Sequence, residues 1–257
     1  MTRKPGIWAA IGLVTFGVFW ELLVRVRDIK PFVLIAPSEI VSEIADNPTF
    51  WLEATWRTAW HTVVGVSIAF VLAVVVGAVL AAYRPLEWAA QPVLVLVMVT
   101  PWVAYITSVV LWLGRGTPTI LFMISFVTFP PFAFAAVLGM RSADVAAREV
   151  LASVDTPRHE VLWRLRLPAA LPSLFTAARF TVGLGLAAAY FSEGGSSSSD
   201  GSLGDVGKRA AANSTGYEIL WGSIVCAAVL GVALLVAVTT VERRLLSWHE
   251  SQRITIG

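Results

Sequence analysis

Any chemistry in this chain has few reactive side chains to draw on. It has three histidines, His61, His159 and His249, and one cysteine, Cys226. Neither "HEVLW" at His159 nor "HESQR" at His249 supplies the second histidine of a His-Glu-x-x-His zinc helix. Scattered histidines and a single thiol offer little to a metal cluster, so no metal ligands are assigned. Cys226 has no partner for an internal disulfide and reads as a small apolar side chain. A Gly-x-Ser-x-Gly nucleophile elbow is absent. The nearest approach to a phosphate-binding loop is "SLGDVGKR", residues 202–209. Ser202 stands where its first glycine belongs, and Arg209 where its Ser or Thr belongs. No catalytic residue and no cofactor of its own is expected.

Charge is more informative. "REVLASVDTPRHEVLWRLRLPAALP", residues 148–172, is a charged, proline-bounded segment between long apolar stretches. Ala147, Val150, Leu151 and Val154 fall at i, i+3, i+4 and i+7, one face of a helix. Asp144 is placed to cap it. Thr156 is expected to cap a second helix with Pro157 at its first position. There Val161, Leu162 and Leu165 form an apolar strip, with Arg158, Glu160, Arg164 and Arg166 elsewhere. Leu167–Pro168 is expected to end that helix, and Pro172 to mark the entry to the next apolar stretch. The prediction is a pair of short amphipathic helices joined by a tight turn. Periodicity alone leaves two roles open: a pair lying on lipid, or a knob that docks a partner.

These elements sit in a membrane protein. The chain is 57% hydrophobic and 14% charged, against about a quarter charged in soluble domains. Segments 7–24, 59–82, 92–113, 118–138, 170–191 and 219–241 each approach the ~20 apolar residues that span a bilayer. The first lacks a clear small-residue cleavage site and reads as a span rather than a removed signal. The expected fold is an all-α polytopic membrane protein with six transmembrane helices and the charged loop between spans 4 and 5. With the N-terminus cytoplasmic, the inside holds eleven basic residues: Arg3, Lys4, Arg84, Arg141, Arg148, Arg158, Arg164, Arg166, Arg243, Arg244 and Arg253. The outside holds seven: Arg25, Arg27, Lys30, Arg57, Arg115, Lys208 and Arg209. The bias favours both termini in the cytoplasm. The net charge of +2 is spread along loops, with no nucleic-acid footprint. An intramembrane protease is disfavoured, because these spans hold no Asp and His61 is their only histidine.

The central segment carries more than periodicity. Glu149, then Asp155 six residues on, then Leu165-x-Leu167-Pro168, resembles the EAA loop of ABC importer permeases. That pattern is Glu-Ala-Ala, three residues, Gly, nine residues, Ile-x-Leu-Pro, and the spacing is matched throughout. Gly139, Arg141, Ser142, Asp144 and Ser153 fit the form of nitrate/sulfonate/taurine-type permeases. Val150 and Leu151 replace the alanines, Asp155 the glycine and Leu165 the isoleucine. Asp tolerates left-handed backbone better than most residues, so the turn is expected to survive. The resemblance extends over roughly residues 52–248. "PWVAYITSVVLWLGRG" carries Pro101, Ala104, Trp112, Gly114 and Gly116 at the family's spacing, with Thr107 in place of a second proline. Arg179, Gly183 and Glu193 match a further spacing. Leu203–Gly204 is similar to the Gly-Leu-Gly that follows, with Ser202 replacing the first glycine.

The resemblance implies a division into residues 1–58, an N-terminal span and external segment; 59–248, the permease core with coupling loop 139–168; and 249–257, a cytoplasmic tail. It implies a multi-pass subunit of the cell (plasma or inner) membrane that is not itself an enzyme. The implied partners are a cytoplasmic ABC ATPase that binds ATP and Mg, an extracytoplasmic solute-binding protein, a second and identical permease, and membrane lipid. Asp144, Glu149, Ser153, Asp155, Thr156, Arg158, Leu165, Leu167 and Pro168 are implied in ATPase coupling. Pro101, Thr107, Arg179 and Glu193 are candidate pathway or gate residues. A lone Arg179 within a span costs on the order of 3 kcal/mol; an interhelical hydrogen bond and a substrate contact both fit it. Gly65, Gly77, Gly183, Gly185 and Gly222 are read as close helix packing. Trp8, Trp88, Trp112 and Trp248 are read as interface anchors. The Ser- and Gly-rich residues 192–215 are expected to form a mobile outer loop. Sulfonates, taurine, nitrate, riboflavin-like compounds and thiamine precursors all remain open as solutes. A membrane scaffold or receptor that recruits a cytoplasmic partner without transport is the alternative.

Overall fold

The computed structural model describes residues 5–196, 200–213 and 216–246. The elements are α1 (Pro5–Val26), α2 (Pro37–Asp46), α3 (Pro48–Ala82), α4 (Arg84–Val99), a 3-10 turn (Trp102–Tyr105), α5 (Ile106–Leu113), α6 (Thr117–Arg141), α7 (Val145–Ser153), α8 (Arg158–Val161), a π-helical turn (Leu162–Arg166), α9 (Leu167–Ser196), α10 (Leu203–Ala212) and α11 (Tyr217–Leu245). Prolines open α2, α3, α4 and α6, where the missing N–H would have no intrahelical acceptor.

Five helices, α1, α3, α6, α11 and the one that ends in α9, are long and apolar enough to cross a membrane. The expected third span, 92–113, is not a straight helix. It is a broken pair, α4 followed by the 3-10 turn and α5, bent by 89°. Pro101 explains the break. A residue before proline is pushed out of the helical region, and Thr100 is extended at φ −76°, ψ 137°. The Thr100 hydroxyl donates to the Leu96 carbonyl at 2.7 Å and helps close the end of α4.

The core lies where α3, α6 and α9 meet. Ala69, Ala73, Ala133, Ala136 and Ala170 surround Phe132, Met140 and Leu174. Phe70 meets Phe132 edge-on at 5.4 Å. Packing rather than water exclusion holds helices together in lipid, so the small residues matter. An added Cβ would lie 2.6 Å from Ile124 at Gly65, 2.5 Å from Ala136 at Gly77, 2.5 Å from Val66 at Gly185 and 2.7 Å from Trp51 at Gly222. Gly183 differs from the other four: nothing lies within 4 Å of its added Cβ. It borders an apolar groove between α9 and α11. Trp8, Trp88 and Trp112 are exposed, as anchors require; Trp248 lies outside the described residues.

Two expectations are revised. The Ser- and Gly-rich region is not a loose loop over its described part. α9 continues to Ser196, and α10 packs down with Ser202, Leu203, Gly204 and Asp205 buried. Asp200 accepts from the Ser202 N–H at 3.0 Å, and Asp205 accepts from the Gly201 N–H at 3.0 Å and from Arg209 at 2.7 Å. Local carboxylates thus satisfy the backbone that composition alone assigned to disorder. Residues 197–199, 214–215 and the tail 249–257 lie outside the described residues. Secondly, the helix containing the expected span 59–82 begins earlier, at Pro48. Trp51, Ala54 and Thr58 give this extension a buried stripe, which a search for continuous apolar runs passes over.

Gly65→Ala forces a methyl into Ile124, and overpacking of this kind costs about 1–3 kcal/mol. Its thermal unfolding midpoint in detergent is expected to fall. Gly183→Ala has open space and better helix propensity, so its midpoint is expected to hold or rise.

Candidate functional site

The expected helix pair is present. Asp144 caps α7 by accepting from the Ala146 N–H at 3.0 Å. At the other end the chain turns through Asp155, which has φ 49°. The Asp155 N–H donates to the Ala152 carbonyl at 3.2 Å and the Thr156 N–H to the Leu151 carbonyl at 3.1 Å. These are the two bonds of a Schellman closure, in which the left-handed residue is usually glycine. Asp155 therefore does the work of the glycine it replaces. The Ser153 hydroxyl donates to the Val150 carbonyl at 2.8 Å.

The second helix departs from expectation twice. Thr156 does not cap it. Pro157 is the cap residue, extended at φ −66°, ψ 146°, and its carbonyl accepts from the N–H groups of Glu160 and Val161. With Pro157 extended, the first helical position falls at Arg158, one residue too far along for Thr156 to serve as cap. Nor do Leu167 and Pro168 end the helix. It runs unbroken from Arg158 to Ser196, 39 residues. Pro168 offers no N–H to the Arg164 carbonyl, and its ring would crowd that oxygen. The ladder widens instead, so that the Leu167 N–H reaches back to the Leu162 carbonyl. This π-helical turn absorbs the proline. Leu165, Leu167 and Pro168 are therefore a junction rather than a stop. Pro172 likewise lies inside α9, where its carbonyl accepts from the Thr176 hydroxyl at 2.9 Å.

The knob presents an outward surface. α7 has no buried residue, and Glu149, Asp155 and Arg158 are exposed. Between them Val150 and Val154 stand open, Val154 at 68%. Such apolar side chains, set among charges at the end of a helix bundle, suit a protein contact. The base of the knob is tied down. Arg141 pairs with Glu87 at 2.5 Å and donates to the Leu80 carbonyl at 3.4 Å, joining α6 to α4 and α3. Arg179 of α9 pairs with Glu242 of α11 at 2.7 and 2.6 Å. The interhelical option for Arg179 is thus realised, with its charge matched by a buried carboxylate.

A second polar cluster lies at the far end of α9. Glu193 is fully buried. One carboxylate oxygen accepts from the Thr58 hydroxyl at 2.9 Å and from the Gly204 N–H at 3.0 Å. The other lies 2.8 Å from His61 Nδ1. Thr58 Oγ1 in turn accepts from the Leu203 N–H at 3.0 Å. A Cβ on Gly204 would collide with the Tyr190 carbonyl, so glycine alone lets α10 sit this close. The cluster clamps α3, α9 and α10 together.

The four candidate pathway residues do not converge on one point. Pro101 marks the break after α4, and Thr107 is exposed in α5. α5 reaches the Glu193 end of α9, where an added Cβ on Gly195 would lie 2.6 Å from Ile106. Arg179 sits about 21 Å of helix away from Glu193. Sequence reasoning missed Thr58, His61, Glu87 and Glu242. An intramembrane arginine demands an acid at matching depth, and Glu242 could have been sought on that ground. His61, noted as the only span histidine, carried the same kind of signal.

Residues 46–247 match the family model described as binding-protein-dependent transport system inner membrane component. The chain is 24% identical over 237 residues to the taurine transport system permease protein TauC of Escherichia coli (strain K12), covering 90% of this chain and 85% of that protein. It is 24% identical over 236 residues to the formylaminopyrimidine transport permease protein ThiX of Halalkalibacterium halodurans, covering 91% and 93%. It is 28% identical over 192 residues to the riboflavin transport system permease protein RibX of Chloroflexus aurantiacus, covering 70% and 69%. A chain of the inward-facing MetNI methionine ABC transporter shares the fold, with TM-score 0.65 at 19% identity over 77% of this chain and 98% of that one.

Thr58→Val would leave the buried Glu193 carboxylate and the Leu203 N–H each one partner short, a cost of about 1–3 kcal/mol. The unfolding midpoint of the purified protein is expected to fall. Thr58→Ser keeps the hydroxyl and is expected to stay near the parent.

Proposed function

We propose, for a chain that belongs to the family of binding-protein-dependent transport system inner membrane components and is the transmembrane permease subunit of an ABC importer, that residues 139–168 are its coupling element. Glu149, Asp155, Thr156 and Arg158 form the contact surface toward a cytoplasmic ATPase. Asp144 and Ser153 hold α7 in shape behind that surface. Leu165, Leu167 and Pro168 join it to α9. A separate subunit binds ATP with Mg and hydrolyses it. Closure of the ATPases moves the knob, and the knob moves α9 as a lever between discrete states. Both termini lie in the cytoplasm, in keeping with the basic residues of loop 139–168 and of Arg243 and Arg244.

Two identical copies enclose the pathway, and a solute-binding protein docks on the outer side, near α2 and α10. The solute is small and polar, of the sulfonate, taurine, nitrate or vitamin-precursor type. Relatives named for taurine, formylaminopyrimidine and riboflavin transport support that range. Pro101 and Thr107, on the broken helix pair, are the better candidates for the pathway. Arg179 and Glu193 are engaged in holding helices together.

The observation that carries this reading is the left-handed turn at Asp155, which sets an exposed helix pair on an unbroken helix. Asp155→Pro cannot adopt φ 49° and loses the N–H that bonds to Ala152. Glu149→Lys reverses a charge on the contact surface, which costs several kcal/mol across an interface. Both variants are expected to lower ATPase co-purification and uptake by about tenfold or more. Asp155→Gly accepts the same backbone and is expected to remain close to the parent. Full ATPase association and uptake in Glu149→Lys and Asp155→Pro, normally inserted, would contradict the assignment.

A further inference from the structure

Beside the coupling helices lies a cavity of about 790 Å³, lined in part by Glu149, Thr156 and Arg158 of the proposed contact surface and in part by residues that surface does not use. One wall is the end of α3, with Ala78, Val79 and Ala82. The facing wall carries Arg148 of α7, Arg158 and His159 of α8, and Arg166 of the π-helical turn. Glu149 is the only acid among the lining residues. Neighbouring cations are matched: Arg141 pairs with Glu87, and Arg164 with Glu160. Among the described residues, Arg148, Arg158 and Arg166 have no ion-pair partner. Guanidinium groups keep their charge under all ordinary conditions, and burial first, then the nearby Arg148 and Arg141, act against the charge on Arg166. Arg158 lines the same cavity, and a multivalent oxyanion would offset this gathering of positive charge through charge-assisted, bidentate hydrogen bonds.

We infer that this cavity binds a phosphate-bearing anion, from the headgroup of an anionic phospholipid or from free phosphate. The walls favour the headgroup. Ala78, Val79 and Ala82 belong to a membrane-crossing helix, so the apolar side of the cavity continues toward the bilayer. Tyr83 and Trp163, both exposed, stand at this end of the molecule, where aromatic side chains mark the membrane interface. The cytoplasmic leaflet carries the anionic lipids, so the headgroup source rests on the orientation proposed above. The anion chemistry does not. An occupant would bridge α3 to α7 and α8, and so set the resting position of the coupling helices.

The test uses the full-length chain purified in neutral detergent at constant ionic strength. Thermal unfolding is followed with inorganic phosphate, with short-chain phosphatidylglycerol and with phosphatidylcholine of the same chain length. Phosphatidylglycerol is expected to raise the midpoint, and phosphatidylcholine to leave it unchanged. Arg148→Gln or Arg166→Gln is expected to weaken the apparent affinity by about tenfold. Arg164→Gln, outside the cavity, is expected to keep the shift. An equal shift with inorganic phosphate identifies the free anion as sufficient; a shift with phosphatidylglycerol alone identifies the headgroup. The inference is overturned if neither anion shifts the midpoint, or if phosphatidylcholine shifts it equally. It is also overturned if the Arg148→Gln/Arg166→Gln double variant keeps the full shift. Loss of the lipid effect on adding the ATPase would assign these arginines to an acidic protein surface and would overturn it as well.

Discussion

The helical ladder from Arg158 to Ser196 must not break, and the arrangement of the rest follows from that constraint. It holds 39 residues, about 58 Å at 1.5 Å per residue. The hydrocarbon core it crosses is about 30 Å thick, so a large part of the helix stands outside the bilayer. One end is the knob at Asp155, and the other is the buried carboxylate of Glu193. Backbone groups in lipid have no water to fall back on, so an interruption there would be costly. Pro168 threatens one, and the π-helical turn at Leu162–Arg166 removes it by letting the Leu167 N–H reach back to Leu162. One continuous helix therefore joins the knob to the end where Glu193 grips Thr58, His61 and Gly204.

Stiffness is distributed unevenly around this lever. α3, α6 and α9 are locked by alanines and by glycines whose missing Cβ atoms admit Ile124, Ala136 and Val66. Ion pairs add fixed points: Arg141 with Glu87 near the knob, and Arg179 with Glu242 between α9 and α11. Burying one charge without its partner would cost several kcal/mol, so each pair resists separation of its helices. The pair α4–α5 is held less firmly. α4 buries only Glu87 and Leu94, and α5 only Ile106 and Val109. The 89° bend at Pro101 lies between them. A tightly packed three-helix core thus stands beside a bent and lightly buried element.

What could be read from the sequence was local in origin. The apolar stretches, the Asp144 cap and the packing role of Gly65, Gly77, Gly185 and Gly222 follow from spacing and residue type, and the left-handed turn at Asp155 from its place in the loop the segment resembles. Three of the misjudged features have identifiable reasons. Hydropathy is blind to direction, so 92–113 read as one span although Thr100–Pro101 carried the signal for a bend. Pro168 was judged by a rule for helix ends that a π-helical turn evades. α10 was hidden by serine and glycine, although Leu203, Val206, Gly207 and Ala210 keep the i, i+3, i+4, i+7 spacing of a buried face. The contact of His61 with Glu193 spans 132 positions, and nothing local in one sequence reports it. Membership of the permease family was legible because the coupling-loop spacing survived the replacement of its glycine by Asp155.

The central claim is that the turn between α7 and α8 meets the ATPase. Val154 is the most direct reporter, being 68% exposed beside Asp155. The measurement is site-specific cross-linking in the assembled transporter, with Val154→Cys in a Cys226→Ser background and Trp56→Cys, exposed at the opposite end of the molecule, as the comparison. The account predicts a cross-link from position 154 to the ATPase subunit and none from position 56. A complex that co-purifies with its ATPase yet shows no cross-link at 154, or shows one at 56, would contradict it.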